Sequence, residues 1–179
     1  GFNRLDWTYI DNGFGVGLPP WRDNGKDWNL LRPALLNADA KPSPADIAWM
    51  RDAFRDLLRI RASMPLLRLR NVDDVQRRLS FRNVGPKQDP LVIAGHLDGE
   101  GMPGAYREGL YLINVSPDPQ SLLIPEEAGK AYVLHPVQAA ASAADMRAKQ
   151  ARYVASDGRF TVPGRTAVVF VIESELRLP

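Results

Sequence analysis

The sequence predicts a mainly β chain: a carboxy-terminal antiparallel β-sandwich over residues 66–179, preceded by a long loop and one helix. Three observations carry this. Short apolar or alternating runs recur beyond Leu66, each bounded by turn formers. A helical period with a start signal occupies residues 44–63. Before it, Gly1 to Trp28 sets Trp7, Tyr9, Phe14, Trp21 and Trp28 among Gly13, Gly15, Gly17, Pro19, Pro20 and Gly25, a spacing that suits neither helix nor strand.

Each element has its own warrant. Disordered segments lack large aromatics, so the opening stretch reads as an ordered loop that carries a site or lies beside one. Leu30 to Pro42 is expected to be irregular, because Pro33 and Pro42 limit any helix. Ser43-Pro44-Ala45-Asp46 is a helix start: a capping serine, a proline with φ already set, and an acid in the first turn. Ile47, Met50, Phe54, Leu57, Leu58 and Arg61 follow at helical spacing, with Arg51, Asp52, Arg55, Asp56 and Arg59 mostly on other faces. Pro65 ends the helix near residues 62–64. Strands are expected at 77–82, 91–94, 109–115, 121–124, 131–134 and 167–172, with turns at 98–99, 116–119 and 156–158. Alanine-rich 139–151 reads as a short helix or a loop over an edge.

Composition narrows the function classes. The 179 residues allow one or two domains, and the net charge is only +2. Arg68, Arg70, Arg77, Arg78 and Arg82 are the nearest thing to a basic face; spread along a strand-like segment, they read as solvated or ion-paired, so no nucleic-acid partner is expected. The longest apolar runs, such as 167–172, are far too short to span a bilayer, and no membrane partner is expected. With no cysteine there are no disulfides, zinc-thiolate sites or thiol catalysis, and cytoplasmic, periplasmic and secreted locations all stay open. A chain opening at Gly1-Phe2, in mid-motif, is expected to be cut from something longer.

Several motifs together carry a resemblance. Phe2-Asn3-Arg4-Leu5-Asp6-Trp7, then Asp11-Asn12-Gly13-Phe14-Gly15-Val16-Gly17 and Asp23-Asn24-Gly25, resemble the segment after the last barrel strand in pullulanases and limit dextrinases, starch-debranching members of the α-amylase superfamily. The likeness continues through Ser63 to Leu69, Arg82 to Gly85, Leu134 to Gln138 and Gly158 to Pro163. It implies that residues 1–65 are a remnant of a (β/α)8 catalytic barrel, with the helix at 44–63 as its last helix, and that 66–179 form the domain that follows. It also implies α-1,6-glucosidic branch points in pullulan and starch dextrins as the full-length enzyme's substrate. The missing barrel is the implied intramolecular partner. Residues 1–35, left uncovered by it, are expected to fold back, self-associate or be poorly ordered.

No catalytic residue is assigned, and the chain by itself is expected to hydrolyse nothing. Glycoside hydrolysis needs two carboxyl groups flanking the bond, and the family's acidic motifs, on earlier barrel strands, do not occur here. Asp73-Asp74 and Glu126-Glu127 are sequence neighbours that would point to opposite faces of a strand, and they read as solvated surface pairs. The resemblance places Asp23 and Asn24 where relatives contact glucose units; Trp21 and Trp28 would be apolar platforms for sugar faces. The competing reading is a plain turn and core tryptophans. Asp11, Asn12, Asp23, Asn24 and Asp27 offer oxygen donors that suit calcium, but their spacing matches no calcium loop, so no cofactor is expected. His96 and His135 stand isolated and read as structural, and Arg4 and Asp6 as a pair holding the loop. The alternative function is a non-catalytic carbohydrate-binding module, against which stands the absence of any tryptophan beyond Trp49.

Overall fold

The computed structural model describes Thr8 and residues 20–174; Arg4, Asp6, Trp7, Tyr9, Asp11, Asn12 and Phe14 lie outside the described residues. The chain divides into two compact units, Gly1–Phe54 and Arg55–Pro179. In the first, α1 (Trp21–Asn24) leads through a 3-10 turn, Gly25–Asp27, into α2 (Trp28–Leu36). The expectation of an irregular stretch from Leu30 is corrected by α2, which runs through Pro33. Proline there removes one donor, and the remaining residues of the turn keep theirs; Asn37 N–H closes the helix on Ala34 O.

Helix α3 (Pro44–Ser63) begins and ends where its sequence signals lie. Ser43 Oγ accepts Asp46 N–H at 3.2 Å, and Asp46 Oδ2 accepts Ser43 N–H at 2.9 Å, a reciprocal cap. Its buried positions are Asp56 and Ile60. Asp56 Oδ2 accepts Ala144 N–H at 2.8 Å. The periodic stripe points elsewhere: Met50 and Phe54 are each 59% exposed, Leu57 43% and Leu58 47%. A 3-10 turn, Pro65–Arg68, follows.

The strand expected at 77–82 is corrected to α4 (Val72–Arg78) followed by β1 (Leu79–Phe81). Asn71 caps the helix, its Oδ1 accepting Asp74 N–H at 2.8 Å, with Asp73 and Asp74 in the first turn and Arg77 and Arg78 in the last. These charges match the helix dipole, and that favours helix over strand.

Two antiparallel sheets follow, and side-chain parity builds the core between them. β2 (Val92–Asp98), β3 (Tyr106–Asn114), β5 (Val133–Leu134) and β8 (Thr166–Glu173) join β1 in a five-stranded sheet ordered β1-β2-β3-β8-β5. β4 (Gln120–Leu123), β6 (Arg152–Val154) and β7 (Arg159–Val162) form a three-stranded sheet ordered β4-β7-β6. Val92, Ala94, Leu110, Leu112, Val168 and Phe170 pack with Phe160 and Val162 of the smaller sheet. Burying a side chain such as Phe160 contributes about 2–3 kcal/mol by area. Sequence runs located β2, β3, β4, β5 and β8; β6 and β7 were not among them. The 139–151 segment resolves into the end of α5 (Pro136–Ala139) and a 3-10 turn, Met146–Gln150. The opposite face of the larger sheet meets the end of α3, where Leu97, Val169 and Val171 pack with Ile60, Met64 and Leu66. Among the described residues no helix is long and apolar enough to cross a membrane.

Candidate functional site

The four expected sugar-contact residues lie on one short helical path. Trp21, Asp23 and Asn24 belong to α1, and Trp28 opens α2. Asp23-Asn24-Gly25 is therefore a helical passage, with Asp23 N–H and Asn24 N–H both donating to Pro20 O. Gly25 is buried under an indole: a Cβ there would stand 2.3 Å from the Trp21 ring. The Trp21 and Trp28 rings meet edge to face, centroids 5.2 Å apart at 88°. One ring's edge occupies the other's face, so the pair does not form a single flat platform. Trp21 is 68% exposed and Trp28 half-buried. At helical spacing Trp21, Asn24 and Trp28 share a side, and Asp23 points away. Its carboxylate lies 3.5 Å from Arg22 Nε.

A second polar cluster sits inside the sandwich. Glu127 is fully buried in the 3-10 turn Pro125–Glu127, which corrects its reading as half of a solvated pair. A turn that begins with proline rotates Glu127 inward and leaves Glu126 outside. Glu127 Oε1 accepts Arg82 Nε at 2.6 Å; its Oε2 accepts Lys130 Nζ at 2.7 Å and Tyr132 Oη at 2.9 Å. Lys130 Nζ also donates to Glu108 Oε2 at 2.6 Å, and His96 Nε2 lies 3.0 Å from the same oxygen. The hydrogen bond with His96 and then the Lys130 ammonium outweigh burial and hold Glu108 at about 2. Burial alone would raise Glu127, yet Lys130 and Arg82 carry it below its ordinary value. Burial pushes the Lys130 ammonium down, and the two carboxylates push it up further.

His96, Glu108 and Glu127 each place a ligand atom within 4.8 Å of the others, a spacing that would suit a metal. Lys130 Nζ, in contact with both carboxylates, supplies the positive charge there itself. The donor set therefore fits an internal ion-pair network and does not fit a divalent ion. Parity was the available signal: His96 shares a face with Val92 and Ala94, and Glu108 with Leu110 and Leu112.

His135 is also buried, and its neighbours fix its tautomer. Its Nδ1 accepts Val137 N–H at 3.2 Å, so the ring proton is on Nε2, 3.0 Å from Ser63 Oγ. Ser63 in turn donates to Ile60 O at 2.9 Å. The histidine thus donates to the serine and cannot act as its base. Burial pushes His135 below its ordinary pKa, in keeping with the neutral ring. The pair ties the end of α3 to the sandwich.

Residues 9–173 match the family described as alpha-1,6-glucosidases, pullulanase-type, C-terminal. The chain belongs to that family. Among pullulanase relatives, the chloroplastic pullulanase 1 of Arabidopsis thaliana is 39% identical over 178 residues, covering 95% of this chain and 18% of its own length. A Klebsiella pneumoniae pullulanase is 27% identical over 172 residues, covering 94% of this chain and 15% of its own length. The chain thus spans less than a fifth of each of these pullulanases. The crystal structure of PulA from Klebsiella oxytoca superposes with a TM-score of 0.82 at 24% identity, over 97% of this chain and 16% of that one. PulA from Klebsiella pneumoniae in its maltotriose complex gives 0.83 at 25% identity, over 97% and 19%. The antiparallel sheets here match a pullulanase C-terminal β-domain.

Proposed function

We propose that this chain is the carboxy-terminal part of a pullulanase- or limit-dextrinase-type hydrolase that cuts α-1,6-glucosidic branch points in pullulan and starch dextrins, and that it supports the catalytic barrel without breaking bonds itself. The two-sided helix α3 carries this reading. Asp56, Ile60 and the Ser63–His135 pair tie it to the sandwich, while Met50, Phe54, Leu57 and Leu58 present a bare apolar stripe. A helix held from one side and apolar on the other suits the last helix of a (β/α)8 barrel ending near residue 65, with the sandwich from 66 as its companion. Its length supports the idea: the pullulanases it resembles are several times longer.

The charged cluster supports the non-catalytic role. Glu108 and Glu127 are close enough to suggest a hydrolytic pair, but Lys130 bridges them and Glu127 has no exposure, so no glycosidic oxygen reaches both. Trp21 and Asp23 are exposed and stay candidates for lining the substrate, with Asn24 and Trp28 supporting them. The maltotriose complex of the Klebsiella pneumoniae PulA favours an α-glucan as the ligand of the whole enzyme.

Two measurements test this. The purified chain is expected to release no reducing ends from pullulan; release would refute the supporting role. In the full-length enzyme, Asp23→Ala is expected to raise KM or lower kcat by about threefold to tenfold on branched glucans, the loss of one or two hydrogen bonds to a sugar hydroxyl. Unchanged kinetics would remove Asp23 from the site.

A further inference from the structure

The five arginines between positions 68 and 82 divide into two groups in the fold. Arg82 donates to Glu127, and Arg77 and Arg78 both pair with Asp74, Arg78 Nε standing 3.6 Å from its Oδ1. Among the described residues Arg68 and Arg70 have no carboxylate partner, and neither has Arg61 at the end of α3. These three line one cavity of about 760 Å³. The path of the chain explains their convergence. Pro65 follows the end of α3, and Leu66, 3% exposed, packs with Ile60 and Leu97. The turn so anchored brings Arg68 back to α3, where its Nη2 donates to Ala62 O at 3.1 Å. That bond satisfies a carbonyl the helix end leaves open, and the other N–H groups of the guanidinium stay available.

The rest of the lining is of two kinds. Leu67, Leu69 and Met102, all half-buried, supply apolar wall. Asn71 and Asp74 supply a polar pair, with Asn71 Nδ2 donating to Asp74 Oδ2 at 2.8 Å. The second amide hydrogen and the remaining lone pairs of the carboxylate are open to a hydroxyl. Asp74 is the one acid among the described lining residues, and Arg77 and Arg78 already match its charge, so the cavity carries a surplus of positive charge. Arginines that merely face water need no shared hollow. These share one within the range that small ligands fill, about 300–1,000 Å³.

We infer that this cavity binds a phosphate monoester carried on a sugar, the phosphate held by Arg61, Arg68 and Arg70 and the sugar hydroxyls by Asn71 and Asp74. Guanidinium forks match phosphate oxygens in pairs. Inorganic phosphate would use the arginines and meet Asp74 as a like charge. A neutral sugar would use the Asn71–Asp74 pair and the apolar wall, and leave three cations unanswered. A sugar phosphate uses all of them, its C–H surface lying against Leu67, Leu69 and Met102. The anion site stands on the cavity alone, and the choice of a sugar as carrier rests on the function proposed above.

The test is calorimetric titration of the chain with glucose 6-phosphate, inorganic phosphate and maltose. Glucose 6-phosphate is expected to bind in the millimolar range or tighter, about tenfold or more above either of the others. Arg61→Gln and Arg70→Gln, both at exposed positions, are expected to leave thermal unfolding unchanged and each to weaken that binding about tenfold, the loss of one charge-assisted pair. Lys87→Gln removes the same charge from an exposed position outside the cavity and is expected to change nothing. A phosphorylated dextrin tells the two sources apart. Binding of it that Arg70→Gln weakens puts the phosphate on the polymer, and binding of glucose 6-phosphate alone puts it on a free sugar phosphate; each supports the site. No binding of glucose 6-phosphate, inorganic phosphate bound as tightly, or equal weakening by Lys87→Gln and Arg70→Gln overturns the inference. None of these results depends on cleavage of pullulan, so the inference can fall with the proposed function standing.

Discussion

Glu127 has no exposure and still holds its charge, because Arg82, Lys130 and Tyr132 all donate to it. Glu127→Ala would remove the acceptor that Arg82, Lys130 and Tyr132 share, leaving Lys130 and Tyr132 with Glu108 and Arg82 with Ser80, and is expected to cost about 1–3 kcal/mol in urea unfolding. A cost within a few tenths of a kcal/mol would mean the network is slack. The same residues set a pH window. Glu108 and Glu127 titrate lower in the fold than in the unfolded chain, so their contribution is full above 4.5 and is lost as pH falls, towards about 2 for Glu108. Lys130 is shifted up, so its contribution is full below 10.5 and is lost as pH rises through its folded value. His135 is shifted down, so the unfolded chain takes its proton first and stability falls as pH drops below 6.5. Thermal unfolding across pH should therefore show a plateau between neutrality and mild alkali, with a first decline below pH 6.5 that His135→Asn removes. Asparagine keeps an acceptor for Val137 N–H and does not titrate. At this scale the sequence was legible only in part: His96 and His135 read as structural and both are buried, whereas only parity with Leu110 and Leu112 marks Glu108 and nothing in Glu126-Glu127 marks which one turns in.

At the scale of elements, the legible signals were those written into local chemistry. Ser43 and Asp46 cap α3 reciprocally, and the apolar runs became β2, β3 and β8. Two elements depart from the sequence pattern for identifiable physical reasons. The alternation of Arg77 to Arg82 reads as a strand, and the Asn71 cap with the acids after it outweighs that pattern. Pro33 looked like a stop, although one missing donor does not end a helix. The stripe on α3 was correctly periodic, yet the sandwich binds a different side, since Asp56 reaches Ala144 N–H and Ser63 reaches His135. Turn geometry offers a further test. Gly158 has φ +73°, and a Cβ there would stand 2.2 Å from Ile124 O. Gly158→Ala is expected to cost about 2 kcal/mol or more, read by denaturant midpoint; a smaller loss would mean that the β6–β7 turn yields. Gly25→Ala should displace the Trp21 indole and shift the tryptophan emission with little change in unfolding of the sandwich.

At the scale of the whole molecule, the composition described an ordinary globular chain, and the family lay in motifs near its start, in the opening aromatic segment. What no local pattern encoded is the unevenness of the surface. The sandwich seals its core on Phe160, Leu112 and Val168, whereas α3 and half of one sheet face remain apolar and bare. That imbalance is intelligible for a part that completes something larger. The most direct test compares the release of reducing ends from pullulan by this chain, by the upstream part of the polypeptide, and by the two mixed. None is expected from this chain, and a clear gain is expected in the mixture over the upstream part. Hydrolysis by this chain, or a mixture no better than the upstream part, would contradict the supporting role.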